Sequence, residues 1–279
     1  MSSRRFTTRH MVRIVWDLGW ADFQLKYRGS VLGYFWSFAV PFCKFVIFFY
    51  VFRVLFVVDI PFYSLYLFLG IILWEYFANV TMACIGIPLT YADIIKNVAF
   101  PRFLLVFTVG WIQTIIFCTH VAIFFVMSVM MGAAPSWNAL YFPVPFLQFT
   151  LFSLGIGSLL ASYALRFRDF PHLWGILLQV FFWLTPITYV HAVHAPATVE
   201  FLQMISSPQQ IIGWEMLTFF TRFQPLSLII FDTRRVLLPD GGGMPSLVHS
   251  VVLTAICLLV FWIGLLVFRK RSRSFVQEY

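Results

Sequence analysis

The sequence predicts an all-α membrane protein, and three observations carry that prediction. Hydrophobic residues make up 61% of the 279 and charged residues only 11%, with a mean hydropathy of +0.88, which lies outside the range of soluble globular domains. Apolar runs long enough to cross a hydrocarbon core of about 30 Å as helix recur along the chain. The short segments of alternating apolar and polar residues that a membrane β-barrel needs are absent.

Six windows qualify as transmembrane helices: Leu32 to Val58, Phe62 to Leu89, Phe103 to Gly132, Phe146 to Leu165, His172 to Val190 and Ser246 to Phe268. Ahead of them, Met11, Ile14, Val15, Leu18, Ala21 and Leu25 share one helical stripe, with Arg13 and Asp17, and Asp22 and Lys26, spaced as i,i+4 pairs. Together with Trp16 and Trp20 this describes residues 1–31 as an amphipathic helix lying in the cytoplasmic interface; a helix against a soluble partner has the same pattern. The first 30 residues hold no long apolar core ending in a small-residue cleavage site, so no removable signal peptide is expected.

Residues 32–268 form the six-span domain, and within it residues 191–245 are the one long extramembrane stretch. Leu226 to Leu238, LSLIIFDTRRVLL, is too short to cross the core and carries Asp232, Arg234 and Arg235, so a re-entrant or interfacial segment is expected. Pro239 and the run Gly241 to Gly243 end it.

Most of the 19 basic residues fall on one side of this topology. Arg4, Arg5, Arg9, Arg13, Lys26 and Arg28 precede the first window, Lys96 and Arg102 follow the second, and Arg166 and Arg168 follow the fourth. Arg269, Lys270, Arg271 and Arg273 follow the sixth, in a basic tail of residues 269–279. Basic residues stay in the cytoplasm, so both termini are expected there. The net charge of +8 is then a topology signal plus attraction to anionic lipid, and no nucleic-acid partner is implied.

Several chemistries lack their residues. The glycine cluster GGGMP is followed by no Lys-Ser/Thr pair, so the chain has no phosphate-cradling loop and cannot hydrolyse ATP by that route. Cys43, Cys84, Cys118 and Cys257 are scattered singly through apolar windows, which points to small buried hydrophobes rather than disulfides or a metal site. His191 and His194 stand three apart, with Glu200 at no recognised ligand spacing, so no metal is expected there. Inside the apolar windows, Lys44 lies about 15 residues before the turn near Asp59 and Glu75 about 15 after it, so a helical hairpin sets them at similar depth. They are expected to pair, either for function or merely to fix helix register. His120 is placed to relay protons or to be hydrogen-bonded within the bundle.

Between the second and third windows lies YADIIKNVAFPR, Tyr91 to Arg102, with Asp93, Lys96 and Arg102 in a gap between two very apolar blocks. A charged turn of helix stopped near Pro101 is exposed and joined directly to two spans. An ordinary solvated loop accounts for the charges, but not for Ile94, Ile95, Val98 and Phe100, which need cover.

YRGSVLGYFWSFAVP (Tyr27 to Pro41) resembles the start of the permease subunits of bacterial ABC exporters for lipid-linked polysaccharides, the O-antigen, teichoic acid and capsule group. The resemblance continues through GIILWEYF (Gly70 to Phe77), IIKNVAFPRFLL (Ile94 to Leu105), LRFRDFPHLW (Leu165 to Trp174), TPITY (Thr185 to Tyr189) and QPLSLIIFDTRRVLL (Gln224 to Leu238). It implies a six-span subunit of the inner membrane that dimerises with itself, binds two copies of a nucleotide-binding ATPase, and exports an undecaprenyl-diphosphate-linked glycan. No covalent chemistry and no cofactor are implied in this chain; ATP and Mg²⁺ belong to the ATPase partner. By the same resemblance, residues 89–102 hold the coupling segment, with Tyr91, Asp93, Lys96, Asn97, Phe100, Pro101 and Arg102 facing the ATPase.

The resemblance further suggests Arg28 as a lipid-diphosphate ligand, with snorkelling as the rival use. It makes Tyr34, Trp36, Trp74, Tyr76 and Phe77 candidates to line a glycan channel, with lipid-facing packing as the alternative, and Pro225, Asp232, Arg234 and Arg235 candidates for an outer gate. The chain departs from the family in having Gln224 where Asn is frequent, and in a longer stretch from Ala197 to Phe219. Two rivals come from other classes. An ion-coupled carrier would use Lys44, Glu75 and His120, and an intramembrane transferase for lipid-linked sugars would need more than the sparse Asp93 and Asp169.

Overall fold

A computed structural model describes residues 8–29, 33–55, 61–98, 100–133, 136–164, 167, 169–188, 224–239 and 241–272. Their regular structure is helical throughout: α1 (Thr8–Tyr27), α2 (Phe35–Phe49) continued by a π-helical stretch (Tyr50–Leu55), α3 (Tyr63–Thr90), α4 (Ala92–Asn97), α5 (Leu104–Met130), a 3₁₀ turn (Trp137–Tyr141), α6 (Pro143–Ala164), α7 (Phe170–Leu184), α8 (Pro225–Leu237) and α9 (Leu247–Arg271). His191, His194, Glu200 and the stretch from Ala197 to Phe219 lie outside the described residues.

Helix α3 is apolar on every side over 28 residues, and a helix with no polar face belongs at the centre of a bundle. Accordingly 72% of its apolar window is buried, and α2, α5, α6 and α7 all pack on it. The other large contact joins α6 to α9. There the chain uses small residues: a Cβ at Gly264 would lie 2.2 Å from the carbonyl oxygen of Gly155, and one at Gly155 would lie 2.8 Å from the backbone of Phe261. Lipid supplies no hydrophobic force to bring helices together, so this close backbone approach stabilises the pair through dispersion contacts. Gln148 of α6 adds hydrogen bonds across the same contact, donating to the Ser250 carbonyl (3.1 Å) and the Thr254 hydroxyl (2.9 Å) of α9.

Among the described residues, five helices are long and apolar enough to cross a membrane: Phe35–Phe52, Tyr63–Thr90, Leu104–Met130, Trp137–Ala164 and Leu247–Arg271. The fifth expected window, His172 to Val190, overlaps the 15-residue α7, whose helix alone is about 22 Å long. It stops at Thr185, whose backbone is extended (ψ 135°), because the ring of Pro186 disfavours the helical conformation for the residue before it. The cysteine reading is corrected for two of the four: Cys84 and Cys257 are buried, whereas Cys43 and Cys118 are exposed. In a bilayer an outward apolar face and an inward one have the same composition, so hydropathy does not separate them.

Candidate functional site

The elbow between α3 and α5 is built from a helix stop, a short helix and a proline. Tyr91 caps α3, its N–H reaching the carbonyls of Ile87 and Leu89. Six residues then form α4, with Asp93 in its first turn and Lys96 in its last, the arrangement a helix dipole favours. Val98 is extended (ψ 123°), and Pro101 follows before α5 begins at Leu104. Asp93, Lys96, Asn97 and Val98 are exposed; Phe100, Pro101 and Arg102 are half-buried; Tyr91 and Ile95 are buried. The apolar residues are thus divided, Ile95 turned inward and Val98 outward.

Two long-range bonds tie this elbow to the rest of this end of the bundle. The Tyr91 hydroxyl donates to the Asp22 carboxylate on α1, and the Arg102 guanidinium donates to the Ser272 carbonyl just past α9. Burial and the neighbouring Asp22 carboxylate hold the Tyr91 hydroxyl well above the usual phenol value. It therefore stays a neutral donor, and the stability it supplies fades only as pH rises past the ordinary tyrosine value of about 10. Two cations of α9 close the same region: Arg269 lies 5.1 Å from the Phe103 ring and Arg271 4.0 Å from the Tyr163 ring. Sequence spacing pairs Asp22 with Lys26, whose side chain lies outside the described residues; no local rule finds a partner 69 positions away.

Helix α1 lies against α5, with Trp16 and Trp111 ring centroids 4.8 Å apart and Gly19 directly against Trp111. Met11, Ile14, Val15 and Leu18 of the expected stripe are half-buried there, while Ala21 and Leu25 are exposed. Arg13 and Asp17 form their i,i+4 pair at 3.6 Å on the exposed face. Arg28 is exposed in the turn that follows α1, ahead of Gly29 with φ 81°.

A polar seam joins α2 to α3 and α5. Tyr34 bonds Thr119 (2.6 Å), His120 Nε2 donates to the Ser37 carbonyl (3.0 Å), and Lys44 pairs with Glu75. His120 is thus hydrogen-bonded within the bundle. Replacing Lys44 or Glu75 alone with Ala is expected to cost about 1–2 kcal/mol more than replacing both, because each single change strands a charge. A thermal-unfolding cycle on the four proteins checks this, and additive losses would refute a coupled pair.

The expected channel aromatics separate. Trp74, Tyr76 and Phe77 are buried in the bundle: Tyr76 is enclosed by Phe117, Phe146 and Phe149 and bonds Thr150 at 3.2 Å, and Trp74 packs on Phe77 and Phe182. Tyr34 is half-buried, and only Trp36 of the five is exposed.

At the opposite end of the bundle, Pro225 begins α8 and leaves no N–H to satisfy there. Arg234 is buried, donating to the carbonyls of Pro186, Ile187 (2.9 Å) and Tyr66 (3.1 Å) with its guanidinium 3.5 Å from the Tyr66 ring centroid. A Cβ at Gly70 would lie 2.2 Å from that guanidinium, so the glycine leaves the room it occupies. Buried Asp232 accepts from His249 Nε2 at 3.0 Å, and Arg235 reaches the Gly242 carbonyl at 3.3 Å. The four residues expected at an outer gate thus sit on one short helix clamped to α3, the end of α7 and the start of α9.

Apolar spans, a helix along one end and an exposed elbow tied to both fit a polytopic membrane protein. The chain is 24% identical over 257 residues to the O-antigen export system permease protein RfbA of Myxococcus xanthus, spanning 92% of each protein. Two proteins of the same name from Klebsiella pneumoniae are also 24% identical over 257 residues, covering 92% of this chain and 91% of theirs. No protein-family model matches the chain. It is thus related along nearly its whole length to permeases of O-antigen export systems.

Proposed function

We propose that this chain is the transmembrane subunit of an ATP-driven exporter that moves an O-antigen or related undecaprenyl-diphosphate-linked glycan outward across the inner membrane. It works as a homodimer with two copies of a separate ATPase that binds ATP and Mg²⁺. In this reading α7 and the buried residues 185–188 that follow it belong to a sixth span, both termini face the cytoplasm and α8 belongs to a re-entrant outer gate. The observation that carries the reading is full-length similarity to export permeases, joined to an elbow whose exposed side (Asp93, Lys96, Asn97, Val98) is turned outward while its buried side is bonded to α1 and α9. Closure of the ATPase would push on α4, and a push there moves α3, α5 and α1 together.

Purification of the tagged chain from its native membrane is expected to bring down a nucleotide-binding ATPase in equal amount. Replacing Asp93 and Lys96 with Ala should weaken that association at least about 10-fold, the order expected for losing two contacts at an interface. Recovery of the chain alone, unaffected by these changes, would overturn the reading. The Lys44–Glu75 pair favours a second reading, an ion-coupled carrier. That reading requires transport by the isolated chain under a proton or sodium gradient without ATP.

A further inference from the structure

The least packed span carries a charge that its ion pair does not cover. Only 11% of the apolar window of α2 and its continuation is buried, against 33% to 72% for the other four long helices. Trp36, Val40, Cys43, Lys44, Ile47 and Tyr50 recur at three- and four-residue spacing and are all exposed. Lys44 remains 47% exposed while bonded to Glu75, which is itself only 13% exposed and stands behind it. An ammonium has three donors, and among the described residues Glu75 accepts one. Hydrocarbon against the remaining donors is strongly unfavourable, so water or an acceptor must meet them. With the carboxylate behind and the ammonium in front, the face is positive outward.

We propose that Lys44 is an oxyanion-binding residue on a water-filled face of α2, where the diphosphate of a lipid-linked glycan replaces solvent on the ammonium while Glu75 stays behind it. The identity of the anion rests on the export reading. The wet, positive face rests on the exposure of Lys44 and the geometry of its pair. A diphosphate has the acceptors to satisfy the remaining donors by charge-assisted hydrogen bonds, which a neutral sugar does not.

Cys43, one residue away and exposed, is a native reporter. In a Cys118→Ala chain, whose remaining Cys84 and Cys257 are buried, Cys43 is reacted in phosphatidylcholine vesicles with an anionic (sulfonatoethyl) and a cationic (trimethylammonioethyl) thiosulfonate. Both should react, the anionic one favoured by about 5-fold, a preference lost in Lys44→Gln. Farnesyl diphosphate should slow the reaction at least about 3-fold, again only with Lys44 present, whereas adding phosphatidylglycerol should not. The Lys44→Gln/Glu75→Gln chain, which strands no charge, should behave like Lys44→Gln and so separates loss of the site from loss of the fold. Silence of Cys43 toward both reagents would mean that lipid or a second copy covers the face, and would overturn the proposal. So would a charge preference indifferent to Lys44, an absence of protection by farnesyl diphosphate, or equal protection by phosphatidylglycerol. No ATPase or export assay enters, so this failure is distinct from failure of the export reading, which is decided by copurification.

Discussion

Gly264→Val should cost the protein about 3 kcal/mol or more, seen as a fall of about 10 °C in the thermal unfolding of the purified chain. A Cβ at this position would stand 2.2 Å from the Gly155 carbonyl oxygen and 2.3 Å from the Ser158 hydroxyl. The first is backbone inside a helix and cannot turn aside, so α6 and α9 must separate along their largest contact. Separation also pulls Gln148 from Ser250 and Thr254, leaving polar groups unmatched in lipid. Gly155→Val should act similarly, since its Cβ would meet the Phe261 backbone at 2.8 Å. The control is Gly175 on α7, where an added Cβ would find nothing within 4 Å; Gly175→Ala should leave the transition unchanged or raise it slightly. An unaltered transition in Gly264→Val would mean that the two helices do not cross closely.

How much of this was legible in the sequence depended on whether the signal was local. Helices α3, α5 and α9 match their apolar windows to within a few residues, because an uninterrupted apolar run in lipid has few other ways to satisfy its backbone. Lys44 and Glu75 were legible for the same reason: charges within spans are rare and strongly constrained, so two at one depth point to each other. The short α7 was legible in principle, since Pro186 marks its end, but a hydropathy window reads through Thr185-Pro186 without noticing it. The fates of Trp36 and Trp74 were not legible, one exposed and one buried, because an aromatic ring is equally suited to packing, lining and facing lipid. Nor were the Asp22 and Arg102 partners, which the fold brings from 69 and 170 positions away. Motif order located the elbow; only packing revealed what it is fastened to.

That fastening yields the second large effect. Tyr91→Phe removes one hydroxyl and with it the bond to Asp22, while leaving the ring that packs at the end of α3. A hydrogen bond to a carboxylate contributes about 1.5–3 kcal/mol, and its loss frees α1 from the elbow without unfolding either, since α1 keeps Trp111 and α4 keeps the buried Ile95. If the elbow drives the bundle by moving α1 with it, glycan exported per ATP hydrolysed should fall about 10-fold or more, while ATPase binding and ATP hydrolysis by the reconstituted complex persist. Asp22→Ala should give the same uncoupling, and Tyr91→Phe with Asp22→Ala should be no worse than either alone, because one bond is lost only once. Asp22→Asn, whose amide oxygen still accepts, should retain much of the coupling. A parallel fall of export and hydrolysis would instead mean that the bond merely maintains the fold. The ratio of the two rates, rather than either rate, therefore decides whether the tie between α1 and the elbow transmits force.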